Sequence, residues 1–149
     1  MKQVSDVVRK FFEDYERSID ASNQENGLEL IASRYSDSFM FAGPKGAQAV
    51  KKEDFLKALP KRQSFFKTVG LTSSTIKSLE ETQLDDNYVM VKAHWNIRFE
   101  KEAEQPIVAE ISATYILLQE ESSLRIVFQL DHQNLMKTAQ DLGLLPANQ

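Results

Sequence analysis

The sequence predicts an α+β fold, with three N-terminal helices packed on one face of a mostly antiparallel sheet. Three observations carry this. For most of the chain before Gly70, apolar residues recur at three- and four-residue steps. From Leu71 the period becomes two. Turn-forming clusters such as Leu84–Asn87 divide the alternating part into long strands. A period near 3.6 marks helix and a period of two marks strand, and helices grouped ahead of strands favour α+β over alternating βαβ units.

The helices come first. Val4, Val7, Val8, Phe11, Phe12, Tyr15 and Ile19 form one apolar stripe, with Asp6, Arg9, Lys10, Glu13, Asp14, Glu16 and Arg17 between them. This is an amphipathic helix that ends near Asp20–Asn23. Asn26 followed by Glu29 fits a capping box. Leu28, Ile31, Ala32 and Tyr35 then give a short second helix. In FMFAGPKG, Phe39 to Gly46, Phe39 and Phe41 point to one side of a short strand and Met40 to the other. The third helix places Glu53 and Asp54 in its first turn, where carboxylates meet the positive end of the dipole. Phe55, Leu56, Leu59 and Phe66 supply its buried stripe. Pro60 kinks or restarts it, and Gly70 ends it.

The strands follow. Leu84-Asp85-Asp86-Asn87 is a turn between the first two long strands. Val89, Val91, Ala93, Trp95, Ile97 and Phe99 face one way; Tyr88, Met90, Lys92, His94, Asn96 and Arg98 face the other. Lys101–Pro106 is a polar loop. Ile107–Gln119 is apolar on both faces, which places it centrally. After a turn at Glu120–Ser123, Leu124, Ile126, Phe128, Leu130 and His132 share one face of the last long strand. Gln133 to Leu142 forms a terminal helix, with Gly143 as its stop and Pro146 beyond.

A length of 149 residues suits one domain, 1–149. A net charge of −4 without a long basic block argues against nucleic acid or an anionic membrane as partner. The absence of cysteine removes disulfides, thiol catalysis and thiolate metal sites. The two histidines fall on opposite faces without HxH or HxxxH spacing, so neither a metal nor a cofactor is expected. No apolar run is long enough to span a bilayer, and MKQVSDVVRKFFEDYE lacks the apolar centre of a signal peptide. A cytoplasmic location is the expectation.

The Gly-Pro-Lys-Gly corner is read as a turn rather than an anion loop. Phosphate cradles need converging backbone N–H groups. Pro44 deletes one such donor, and Lys45 is followed by Gly46 where a P-loop carries Ser or Thr.

The element order, with F-x-F-x-G-P-x-G after the second helix and the late strands ISATYILLQEESSLRIVFQLDHQNL, resembles the nuclear transport factor 2-like superfamily. It is most similar to small bacterial SnoaL-like proteins, from Val4 to about Leu142. The resemblance implies a cone: a strongly curved sheet wrapped on helices, with a pocket at the open end. It also implies homodimers through the outer sheet face. Ketosteroid isomerases of this superfamily carry a base just before the matching proline, which here is Gly43. Their second acid matches Ser112, and their tyrosine on the first helix matches Phe11 or Tyr15. Two of the three roles are lost, so isomerisation by that mechanism is not expected.

Among candidate site residues, His132 is in phase with the apolar face of its strand and follows Asp131. An imidazole that titrates near neutrality and points into the cone is the one general-base candidate. His94 lies on the polar face, exposed or in a dimer contact. Tyr15, Phe39, Trp95, Tyr115, Phe128 and His132 form the candidate wall of a pocket for a small hydrophobic ligand, with tyrosine hydroxyls as orienting groups. Outward-facing Ile116, Leu118 and Met90 would leave apolar area exposed unless a second copy covered it. Three functions follow: a homodimer binding a small hydrophobic molecule; an isomerase, cyclase or dehydratase using His132 as acid/base; or a dimeric interaction module.

Overall fold

The computed structural model describes residues 5–20, 27–100, 105–121 and 123–144. Its elements are α1 (Asp6–Asp20), α2 (Gly27–Ala32), β1 (Tyr35–Gly43), β2 (Gly46–Lys51), α3 (Lys52–Val69), β3 (Leu71–Gln83), β4 (Tyr88–Phe99), β5 (Ile107–Glu120), β6 (Ser123–Asp131) and α4 (Leu135–Asp141). Val4, the chain beyond Asp20 in the first helix, Asn26 of the capping box, most of the Lys101–Pro106 loop and Pro146 lie outside the described residues.

The expected amphipathic stripe holds α1 against the sheet. Val8, Phe11, Phe12 and Tyr15 are buried, whereas Val7 is exposed. A straight helix buries only the stripe that meets a partner, and Val7 falls at its edge. The second helix closes earlier than expected. Tyr35 is the first residue of β1 and is buried. The Ile126 N–H bonds the Arg34 carbonyl at 2.8 Å, which draws the chain into the sheet at this point. α3 runs through Pro60 without a break. The proline is exposed, and Gly70 caps the helix with φ 80°. Only glycine adopts that left-handed conformation without strain.

The strands form one curved sheet in the order β2-β1-β6-β5-β4-β3. All neighbours are antiparallel except β1 and β6. α1 packs on β3, and α3 reaches β1, β2 and β3, so the helices cover one face. β5 lies between β4 and β6, as its two-sided apolar pattern requires. The Pro44-Lys45 turn joins β1 to β2, with Gly43 opposite Gly46. β2 was not expected from the sequence. It is an edge strand, exposed at nearly every position, and GAQAVK carries no alternation to reveal it.

One irregularity decides where the site falls. Ile116 pairs with Phe128 but Leu117 pairs with Ile126, leaving Val127 without a partner. This is a β-bulge, and one extra residue reverses which face the rest of the strand presents. Leu124 and Ile126 point to the core as expected. Beyond the bulge, Phe128, Leu130 and His132 turn outward, and Gln129 and Asp131 turn inward. The expected inward placement of Phe128 and His132 is therefore corrected. The His132 Nε2 lies 2.7 Å from the hydroxyl of Thr114, an outward residue of β5, and its ring is exposed.

Candidate functional site

Between the helices and the sheet lies a cavity of about 120 Å³. α1 supplies Tyr15 and Ile19, β1 Tyr35, and α3 Phe55, Leu59 and Arg62. Trp95 and Ile97 from β4 and Tyr115 from β5 close the sheet side, with Gln129 and Asp131 from β6. The aromatic rings meet edge to face: Tyr15 with Trp95 at 6.0 Å and 78°, Tyr15 with Tyr35 at 6.2 Å and 82°. Such pairs stiffen a wall because each ring's positive edge faces its neighbour's negative face. A wider hollow of about 480 Å³ lies under the Gly43–Gln48 corner. Asp131, Gln133 and Leu135 line both.

A hydrogen-bonded chain runs along the cavity wall. The Tyr15 and Tyr35 hydroxyls are 2.7 Å apart. Tyr35 donates to Gln129 Oε1 at 2.5 Å, and Gln129 Nε2 donates to Asp131 Oδ1 at 2.9 Å. Tyr15, Tyr35 and Gln129 are buried, so each bond also removes a desolvation cost. Burial pushes the Tyr15 hydroxyl above the ordinary phenol range, opposed by its hydrogen bonding with Tyr35, the nearby Arg62 charge and its contact with Tyr115. Burial pushes Tyr35 and Tyr115 well above it, reinforced by their charged-form repulsion with Tyr15. All three are neutral phenols at physiological pH.

Arg62 and Asp131 are the charged side chains on the cavity wall among the described residues. The Arg62 guanidinium sits over the Phe66 ring, 5.4 Å from its centroid. Across the β1–β6 pair, a Cβ built on Gly43 would lie 4.0 Å from the Asp131 carbonyl oxygen. Gly43 and Asp131 also line the same hollow, so the corner that lacks a carboxylate adjoins a residue of β6 that carries one.

Of the sequence candidates, Tyr15, Trp95 and Tyr115 line the cavity. Phe39 is buried behind the wall, with its ring 4.6 Å from Tyr35 and 5.3 Å from Phe55. Phe128 and His132 are on the far side of the sheet, as the bulge dictates. Arg62, Gln129 and Asp131 were not candidates from the sequence, and Tyr35 was one aromatic among many. Tyr35 belongs to β1 and not to the second helix, and a bulge with no local signature turns Gln129 and Asp131 inward.

The outer face holds a second polar line. His94 Nδ1 is 3.1 Å from Ser112 Oγ, and His94 Nε2 is 2.6 Å from Glu80 Oε2. The order serine, histidine, carboxylate suggests a hydrolytic triad, but the Ser112 N–H is taken by Gln133 Oε1 at 2.8 Å. That donor is not available to an oxyanion. Ser112 keeps the outward hydroxyl its phase predicts, so it does not stand in for an inward acid. Among the described residues, no group of three or more His, Asp or Glu side chains is placed to hold a metal. No helix among them is long and apolar enough to cross a membrane.

Solved structures share this architecture. An NTF-2 like protein of unknown function from Shewanella oneidensis matches at TM-score 0.62 and 17% identity, covering 86% of this chain and 98% of its own. The beta subunit of the benzoate 1,2-dioxygenase from Burkholderia mallei matches at TM-score 0.66 and 14% identity, covering 92% and 95%. A protein from Catenulispora acidiphila in complex with S-DNPA matches at TM-score 0.66 and 12% identity, covering 89% and 94%. At these identities the likeness shows the fold alone. No curated protein matches the sequence. The family described as NTF2-like protein (DUF6841) matches residues 5–134, so the chain belongs to that NTF2-like family.

Proposed function

We propose that the protein binds a small, mostly apolar molecule in the cavity and works as a homodimer. The observation that carries the first part is the contrast within the wall. Aromatic and aliphatic side chains make up most of it, and one buried hydrogen-bonded chain ends on it at Asp131. Pockets of this kind use apolar walls for affinity and a few fixed polar groups for orientation. A volume of about 120 Å³ accommodates about one aromatic ring, since cavities of roughly 150 Å³ in other proteins take benzene. The S-DNPA complex of the Catenulispora neighbour is consistent with ligand binding on this fold.

The homodimer rests on the outer face. Met40, Phe128, Ile116 and Met90 stand in register across β1, β6, β5 and β4. An apolar row across four strands is costly in water and suits a second copy of the same face.

Trp95 is the only tryptophan and lies in the wall, so its fluorescence reports on the cavity. Single-ring ligands are expected to shift or quench it saturably, with matching heats by calorimetry. A flat response in both across such a panel sinks the binding reading. An enzymatic role in isomerisation, cyclisation or dehydration is a second reading. What favours it is an inward carboxylate, Asp131, beside a neutral tyrosine chain. Unchanged turnover in Asp131→Asn would remove it.

A further inference from the structure

We propose that the cavity selects a ligand whose polar end donates a hydrogen bond to Asp131, as an alcohol or amine does, over one that only accepts. This inference rests on the binding reading above and names the chemistry of its ligand.

The argument is a count of protons along the chain. A carboxylate only accepts, so the nitrogen of Gln129 must face Asp131, as it does at 2.9 Å. That turns the amide oxygen of Gln129 to the Tyr35 hydroxyl, 2.5 Å away. A hydroxyl has one proton, and Tyr35 gives it to Gln129. At its contact with Tyr15, 2.7 Å away, Tyr35 can then only accept, so Tyr15 is the donor. Every hydroxyl proton of the chain points toward Asp131, and the Tyr115 hydroxyl, the other phenol on this wall, is engaged with Tyr15. What the chain offers the cavity is the lone pairs of the Asp131 carboxylate at its end.

The surroundings sharpen this polarity. Around Asp131 stand neutral Tyr15 from α1, Tyr35 from β1 and Tyr115 from β5, with Arg62 from α3 as the cation on the same wall. Lys45 lines the adjoining hollow. An alcohol can donate to Asp131 and still accept from Arg62. An aldehyde sets its lone pairs against those of the carboxylate, and a carboxylate ligand adds charge repulsion. A polar group left unmatched in a buried site loses far more than a missing methylene does.

The test compares benzyl alcohol, benzaldehyde and benzoate by calorimetry and Trp95 fluorescence. Benzyl alcohol is expected to bind at least about tenfold more tightly than the other two. In Asp131→Asn, nearly identical in shape, that preference should shrink to within about threefold, because the amide offers a donor as well as an acceptor. In Tyr35→Phe the Tyr15 proton loses its acceptor and is free to turn to the cavity. Benzaldehyde should then gain several-fold relative to benzyl alcohol. Equal affinities of alcohol and aldehyde in the unmodified protein would overturn the inference while leaving ligand binding intact. Tightest binding of benzoate would overturn it in favour of Arg62 as the anchor. No binding of any of the three would bring down the binding reading and this inference with it.

Discussion

The Tyr35 hydroxyl donates to Gln129 Oε1 at 2.5 Å, tying the first residue of β1 to the inward side of β6. The two residues are 94 apart in the chain and both buried, so neither has water to replace a lost partner. Tyr35→Phe or Gln129→Leu alone should each destabilise the fold by roughly 1–3 kcal/mol, because a buried polar group is left unpaired. The double variant should cost clearly less than the sum. Additive losses in a urea-unfolding cycle would show that the bond is not what stabilises this junction.

Alkaline titration tests the burial of the tyrosine chain. Burial raises Tyr15, Tyr35 and Tyr115 above the ordinary phenol range. For a raised group the folded state holds its proton longer than the unfolded state. The stability it contributes is fully present below the unfolded value near pH 10 and is lost as pH climbs toward the folded values. Tyrosinate absorbance from three of the chain's four tyrosines should therefore appear only with loss of the fold. Ionisation of these three with the circular dichroism unchanged would contradict the packing described.

The bulge at Val127 gives a prediction about His132. Its ring bonds Thr114 on the outer face, across the sheet from the cavity. His132→Ala should change stability by less than about 0.5 kcal/mol, as exposed substitutions usually do. Affinity for cavity ligands should also stay within about twofold, well under the tenfold that 1.4 kcal/mol represents. A tenfold loss of affinity would require His132 to reach the cavity after all.

The outer apolar row can be tested by charge. Ile116 pairs with Met90 on one side and Phe128 on the other. Ile116→Lys puts an ammonium group into the middle of the row, where a sheet-to-sheet contact would have to desolvate it. Sedimentation should find a dimer for the parent chain at micromolar concentration and a monomer for the variant. A parent chain that sediments as a monomer would rule out the homodimer.

Core substitutions should separate the scaffold from the site. Leu117 is fully buried on β5 and does not line the cavity. Leu117→Ala should cost about 2–5 kcal/mol by leaving a void. Trp95→Phe should cost less stability but change ligand binding, since the ring forms the wall. Equal effects of both variants on ligand affinity would mean that the cavity is not the binding site.

Much of the architecture follows from the sequence alone, because period and burial are one physical signal. Phe11, Phe12 and Tyr15 share a helical stripe that has to be buried, and Val89 to Phe99 alternate as a strand with one wet face must. Gly70 is legible as a stop because only glycine takes its backbone conformation at no cost. Trp95, Tyr15 and Tyr115 could be placed on the inner face for the same reason. Three things were decided only by tertiary structure. Tyr35 joined the sheet because β6 offered it parallel hydrogen bonds from a distant part of the chain. β2 formed on pairing with β1, although its own side chains bury almost nothing. And β6 changed faces at Val127, because the register of two paired strands is a property of the pair and not of either sequence. That single slip sent His132 to the outside and brought Asp131 to the end of the tyrosine chain.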